Sequence, residues 1–235
     1  MIQPYFEDET VTLYHGDCLE VLPTLAADSV HVIVTDPPYG QDYLSNRGGE
    51  HQRIAGDDGS LNVPLALTKA CRVLRRGRHA YVFGPASLVD GAPLAAAVEL
   101  IWDKQIVGMG DLSQPWSRSH EPITFAVYEP SKANRDKGYG GLAARLRQGS
   151  VLRVARTNGA NTKRHPTEKP VQLLRQLIES SSVWDEVVLD PFVGVGSTLV
   201  AARLEGRRSI GIEIDERYCE IAATRLTQAK EDALW

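Results

Sequence analysis

Residues 187–215 read "VVLDPFVGVGSTLVAARLEGRRSIGIEID". Branched apolar residues lead into a glycine turn, then an amphipathic stretch, then a second apolar run that ends in an acid. The pattern is strand, helix, strand, a nucleotide-binding βαβ unit, and it commits the chain to an α/β class with a largely parallel sheet. Gly194 and Gly196 let the backbone turn tightly and let a ligand approach it closely. Glu213 ends the second strand 19 residues after Gly194, where an acid can hydrogen-bond ribose hydroxyls. The plain alternative is an ordinary strand-to-helix turn that needs glycine.

Two details narrow the ligand. The third glycine of G-x-G-x-x-G is missing, since position 199 is Leu. Asp190, at the strand end, would repel a pyrophosphate. Both disfavour a nicotinamide oxidoreductase. An acid there suits a cationic ligand without phosphate, and S-adenosylmethionine fits: adenosine, a sulfonium and an amino-acid tail.

The rest of the chain keeps the alternation of short apolar and amphipathic runs, so one domain over 1–235 is expected. A strand or hairpin is predicted at 11–17, ending in Asp17, and a strand at 29–36, with a short helix at 18–26 between them. A helix over 61–77, closed by Gly77, precedes a strand at 78–84. Segment 88–110 suggests a helix and then a strand around 101–107. Further strands are expected at 121–130 and within "SVLRVAR". A helix spans 169–182 with Pro170 in its first turn, and Leu173, Leu174, Leu177 and Ile178 share one face. Strand 186–190, helix 196–206, strand 209–215 and a closing helix from Glu216 complete the order. Residues 41–60 are glycine-rich and polar, a long loop of the kind that is functional or mobile.

Charge is unevenly placed. The chain carries −4 overall, yet segment 131–165 holds nine Lys or Arg and one acid, Asp136. A local +8 in an acidic chain looks like a footprint for phosphates. A second basic run, "KACRVLRRGRH", covers 69–79, where a solvated face is the ordinary explanation. The three cysteines lie far apart and the six histidines show no metal-ligand spacing. A disulfide framework and a metal site are therefore not expected, and the cytoplasm is the default, bacterial or that of a host if the chain is viral. No apolar stretch suggests a membrane span.

The stretch "SVHVIVTDPPYG" (29–40) poses a chemical question. Prolines explain a turn, but not the acid before them or the aromatic after. An exocyclic amine on a base is a poor nucleophile because its lone pair is delocalised into the ring. Two acceptors on its N–H groups would favour a pyramidal nitrogen with a localised pair. Asp36 supplies one, the Pro37 carbonyl the other; Pro38 stiffens the turn, and Tyr39 offers a face for an extruded base.

"TDPPYG" together with "DPFVGVGST" resembles the amino-group DNA methyltransferases, which make N6-methyladenine or N4-methylcytosine. With the "DPPY" motif first and "HPTEKPVQLL" ahead of the glycine motif, the order is similar to the permuted β-group. The resemblance implies a doubly wound, Rossmann-like sheet that uses S-adenosylmethionine, mostly parallel with an antiparallel edge and a small inserted target-recognition region. It implies Asp36, Pro37, Pro38 and Tyr39 as the catalytic set. Asp17, Asp36, Thr167, Lys169, Asp190, Phe192, Gly194, Gly196, Ser197, Thr198 and Glu213 would line the cofactor, although Asp17 reads equally well as a helix cap. Double-stranded DNA is the implied partner. The loop 41–60 and the basic insertion 131–164, with Arg135, Arg145, Arg147, Lys163 and Arg164, are the expected DNA-binding elements. Adenine is favoured over cytosine, because Asp at position 36 is commoner in adenine enzymes. An RNA methyltransferase is a further alternative, and a homodimer is left open.

Overall fold

The computed structural model describes residues 2–38, 61–106, 113, 115–129, 148–156 and 168–232. The strands among them are β1 (Phe6–Glu7), β2 (Val11–His15), β3 (Val30–Thr35), β4 (Leu74–Phe83), β5 (Leu94–Asp103), β6 (His120–Tyr128), β7 (Val151–Arg153), β8 (Val187–Asp190) and β9 (Arg208–Glu213). The helices are α1 (Cys18–Val21), α2 (Val63–Val73), α3 (Val171–Ser181), α4 (Ser197–Leu204) and α5 (Glu216–Asp232). One sheet runs in the order β1-β2-β9-β8-β3-β4-β6-β5-β7. Strands β2, β9, β8, β3 and β4 are mutually parallel. β6 runs antiparallel to both β4 and β5, and β1 antiparallel to β2. The expected mostly parallel α/β sheet with an antiparallel edge is what the chain forms, and β1 adds a second antiparallel edge on the other side.

Burial explains the layering. All six residues of β3 are buried, as a strand covered on both faces requires. Val30 and Ile33 pack with Leu67 and Ala70 of α2 on one face. Val32 and Val34 pack with Leu173, Leu174, Leu177 and Ile178 of α3 on the other. The predicted apolar stripe of α3 is therefore its buried face, although Pro170 stands at the N-cap, just ahead of the helix. α5 lays Cys219, Ala222 and Leu226 against α4 and β2. No helix among the described residues is long and apolar enough to cross a membrane.

Two predicted boundaries were wrong. The helix expected over 61–77 stops at Val73, and β4 begins at Leu74. Gly77, the expected helix stop, lies inside β4 at φ +77°, where the β3–β4 register shifts between Val30 and Val32. Its positive φ serves a bulge rather than a C-cap. The helix expected after residue 88 is instead a single 3-10 turn, Ala86–Val89, followed by β5. Ala95 and Ala96 favour a helix intrinsically, but they pair with Val127 and Ala126 of β6, and tertiary pairing overrides propensity.

The second basic run proves to be internal stitching. Arg72 donates to the Leu22 and Leu25 carbonyls, Arg75 to that of Asp28, and Arg78 to that of His31. Arg76 pairs with Glu129. These arginines satisfy chain ends at the amino edge of the sheet, opposite the carboxyl edge where the site lies.

Candidate active site

The carboxyl ends of β3 and β8 lie side by side, as parallel neighbours must. Thr35, the last residue of β3, donates its hydroxyl to Asp190 Oδ1 at 2.8 Å. This single bond joins two motifs 155 residues apart, and it places Asp36, the next residue, at the same sheet edge. Asp190 Oδ1 also accepts from the Phe192 N–H at 3.0 Å. Burial pushes the Asp190 carboxyl up to about 6, against the hydrogen bonds from Thr198, Phe192 and Thr35; the nearby charge of Asp36 adds to the rise.

The two turn glycines do different work. Gly194 sits at φ +53°, and a Cβ built on it would meet nothing within 4 Å among the described residues. Its backbone is open to a ligand, and its N–H is held by Glu213 Oε2 at 2.7 Å. Gly196 has φ +82°, and its Cβ would lie 2.8 Å from Ala222 Cβ. It admits α5 rather than a ligand. Glu213 is 9% exposed; its Oε1 takes the Asp215 N–H at 2.9 Å, and burial raises its carboxyl above the usual range. An open glycine backbone flanked by two buried carboxyls suits a cationic, phosphate-free ligand.

Adjacent residues ahead of α3 reach two different places. Glu168 pairs with Arg225 of α5 at 2.9 Å, and Arg225 donates to the Val195 carbonyl at 2.6 Å and to Ser197 Oγ at 3.1 Å. Lys169 goes the other way, donating to Asp36 Oδ2 at 2.6 Å. Its ammonium also lies 3.3 Å from Glu121 Oε2 and 5.0 Å above the Phe83 ring. Glu121 Oε1 in turn accepts from Lys104 Nζ at 2.6 Å. Burial works against the Lys169 charge, but Asp36 and Glu121 outweigh it and hold the ammonium above its ordinary range. Burial would likewise raise Glu121; Lys169 and Lys104 outweigh it and hold that carboxyl low.

Of the residues singled out from sequence, Asp36, Lys169 and Asp190 are thus brought together, with Gly194 and Glu213 beside Asp190. Ser197 and Thr198 are buried at the start of α4, and Phe192 is half-buried against the core. Asp17 is a helix cap, its carboxylate accepting the Leu19 N–H at 2.7 Å. Pro37 and Pro38 follow Asp36 directly. Tyr39, Thr167, the loop 41–60 and all five candidate DNA-binding residues lie outside the described residues.

Sequence reasoning missed Thr35, Lys104, Glu121, Glu168 and Arg225. Glu121 carried a faint signal, a charged residue at the start of the apolar run "EPITFAVY", since strand ends line ligand crevices in such sheets. Arg225 carried none, because a helical arginine reads as surface.

A family model described as DNA methylase matches residues 30–224. The type II methyltransferase M2.DpnII of Streptococcus pneumoniae is 28% identical over 98% of this chain and 95% of its own. Among solved structures, M1.HpyAVI in complex with SAM superposes with a TM-score of 0.64 at 19% identity, covering 92% of this chain and 99% of that one. The cytosine-N4-specific PvuII DNA methyltransferase superposes at 0.66 with 16% identity, covering 99% and 95%.

Proposed function

The chain belongs to the DNA methylase family of N6/N4 methyltransferases, and on that premise we propose that it methylates the exocyclic N6 of an adenine in double-stranded DNA. The observation that carries the reading is the Thr35–Asp190 bond, which seats Asp36 beside the glycine turn. S-adenosylmethionine supplies, when bound, an electrophilic methyl group on a sulfonium. Asp190, Phe192, Gly194, Ser197, Thr198 and Glu213 would hold it, Gly196 shaping the turn by admitting the last helix, with Asp17, Asp36, Thr167 and Lys169 at its margins. The open backbone of Gly194 and the buried carboxyl of Asp190 support that assignment.

The chain's own part is positioning and electrostatics. Asp36 accepts one N–H of the target amine and the Pro37 carbonyl accepts the other, which localises the nitrogen lone pair. Pro38 fixes the carbonyl's direction. A base inside a duplex is out of reach, so it is extruded and stacks on Tyr39, worth ~1–3 kcal/mol. The loop 41–60 and the insertion 131–164, through Arg135, Arg145, Arg147, Lys163 and Arg164, hold the DNA backbone.

A carboxylate at position 36, rather than a serine hydroxyl, supports adenine. Nuclease digestion of modified DNA and identification of the methylated nucleoside tests it. N6-methyladenine is expected; N4-methylcytosine would overturn the base assignment and leave the family intact. Asp36→Ala is expected to abolish transfer while calorimetric cofactor binding persists.

A further inference from the structure

Four neighbouring strands meet one edge of the sheet, where β3, β4 and β5 end and β6 begins, with Asp36, Phe83, Glu121 and Lys104 in a row. Lys169 enters from outside the sheet and settles over this row. Its ammonium is 2.6 Å from Asp36 Oδ2 and 3.3 Å from Glu121 Oε2, so it is shared unequally. Glu121 Oε2 is buried, and among the described residues it has no well-aligned hydrogen bond, only the looser contact with the Lys169 ammonium at 3.3 Å. A buried carboxylate oxygen without a well-aligned donor is unfavourable, and the ammonium beside it is the one already bonded to Asp36. Lys104 on Oε1 holds Glu121 in place, and Lys169, then Lys104, keep it ionised against burial.

We propose that Glu121 is a positioning residue for Asp36 that acts through Lys169. It is the second seat to which the shared ammonium withdraws when the N–H groups of the target amine reach Asp36. This rests on the function proposed above. The amine needs an acceptor whose charge is not already offset by an ammonium in hydrogen-bond contact. Withdrawal is a short movement over the Phe83 face, which tolerates a cation. It carries no charge out of the row, so the desolvation cost of a buried ion is not incurred a second time. Without Glu121 the ammonium has one seat, and it competes with the substrate.

The test uses Glu121→Gln, which keeps the volume and removes the charge. On a duplex carrying the site found by methylation sequencing, kcat is expected to fall roughly 10- to 100-fold. The calorimetric Kd for S-adenosylhomocysteine and the Kd for DNA should stay within about twofold of wild type. Glu121→Asp should recover part of the loss, and Glu121→Gln should add nothing in a Lys169→Met background. A purely structural role predicts the opposite: an additive loss, with a lowered melting temperature. A second readout needs no turnover. The chain has seven lysines, so the Lys169 ε-carbon can be followed by lysine-selective 13C NMR. Its resonance should shift on adding S-adenosylhomocysteine and duplex to wild type, and not in Glu121→Gln. Wild-type kcat in Glu121→Gln, an undiminished effect in Lys169→Met, or an unshifted wild-type resonance each overturns the inference alone. A wild-type chain that methylates no DNA overturns the proposed function as well.

Discussion

At neutral pH Asp190 is ionised while only 3% exposed, and the fold bears the cost. Its carboxyl titrates at about 6 in the folded chain, against about 3.9 unfolded. Protonated Asp190 costs nothing below about 4, and the penalty grows as pH rises through the folded value. Asp190→Asn is therefore expected to stabilise the protein at pH 7.5 by ~1–3 kcal/mol, with little effect at pH 4, and to weaken cofactor binding. Urea melts at the two pH values and calorimetry check this; equal stability differences at both would show that the burial cost is not electrostatic. Gly196 tests the neighbouring turn. Its Cβ would stand 2.8 Å from Ala222 Cβ and 3.1 Å from its Cα, at φ +82°. Gly196→Ala should cost roughly 2 kcal/mol or more, overpacking adding to backbone strain. Gly194→Ala, which meets no neighbour among the described residues, should cost about 1 kcal/mol and act chiefly on the ligand. Thermal melts of the pair separate the two roles.

The seam between β4 and α3 shows what an element contributes. Ser181 at the end of α3 bonds both His79 Nδ1 at 2.7 Å and the Tyr81 hydroxyl at 2.6 Å, while His79 packs edge-on against Phe125. Burial, then the Arg78 charge, lowers His79 to about 4. The unfolded chain takes up that proton first, near pH 6.5. Stability from this group is complete above 6.5 and is lost as pH falls toward 4, at about 1.4 kcal/mol per unit. His79→Gln should flatten that part of the stability–pH curve; an unchanged curve would place the acid sensitivity elsewhere, for example at His31, also lowered by burial. The same two elements show what a sequence can reveal. The stripe of α3 was legible because Leu173, Leu174, Leu177 and Ile178 follow the helical period, which local spacing sets. The extent of β4 was not, because Leu74 joins the sheet only by pairing with Val30. β5 was misread for the same reason: its alanines obey β6. The site divides likewise. Asp36, Asp190 and Gly194 stand in contiguous motifs, whereas Glu121 and Thr35 matter only through partners distant in the chain.

On the scale of the whole molecule, the chain sets a net −4 against a segment, 131–165, with nine basic residues. The other basic run is spent on internal carbonyls, so DNA affinity should depend on the first. Charge reversal at Arg145 and Arg147 is expected to weaken binding at every sequence and to flatten the slope of log K against log salt, by about 0.9 per lost phosphate contact. Fluorescence titrations at several salt concentrations measure it, and an unaltered slope would place the DNA elsewhere. The three cysteines stay apart from this chemistry, each buried and pushed up to about 12. One connection spans the molecule. Glu168 holds Arg225 beside the glycine turn, and Lys169, one residue on, holds the acid at the end of β3. A slip of one residue in this stretch would set a carboxylate against Asp36 or an ammonium against the Arg225 guanidinium. The dipeptide works as a parity check on how the chain is threaded: only the correct register closes both contacts, so the glycine turn and the end of β3 are tied to one another through two adjacent residues.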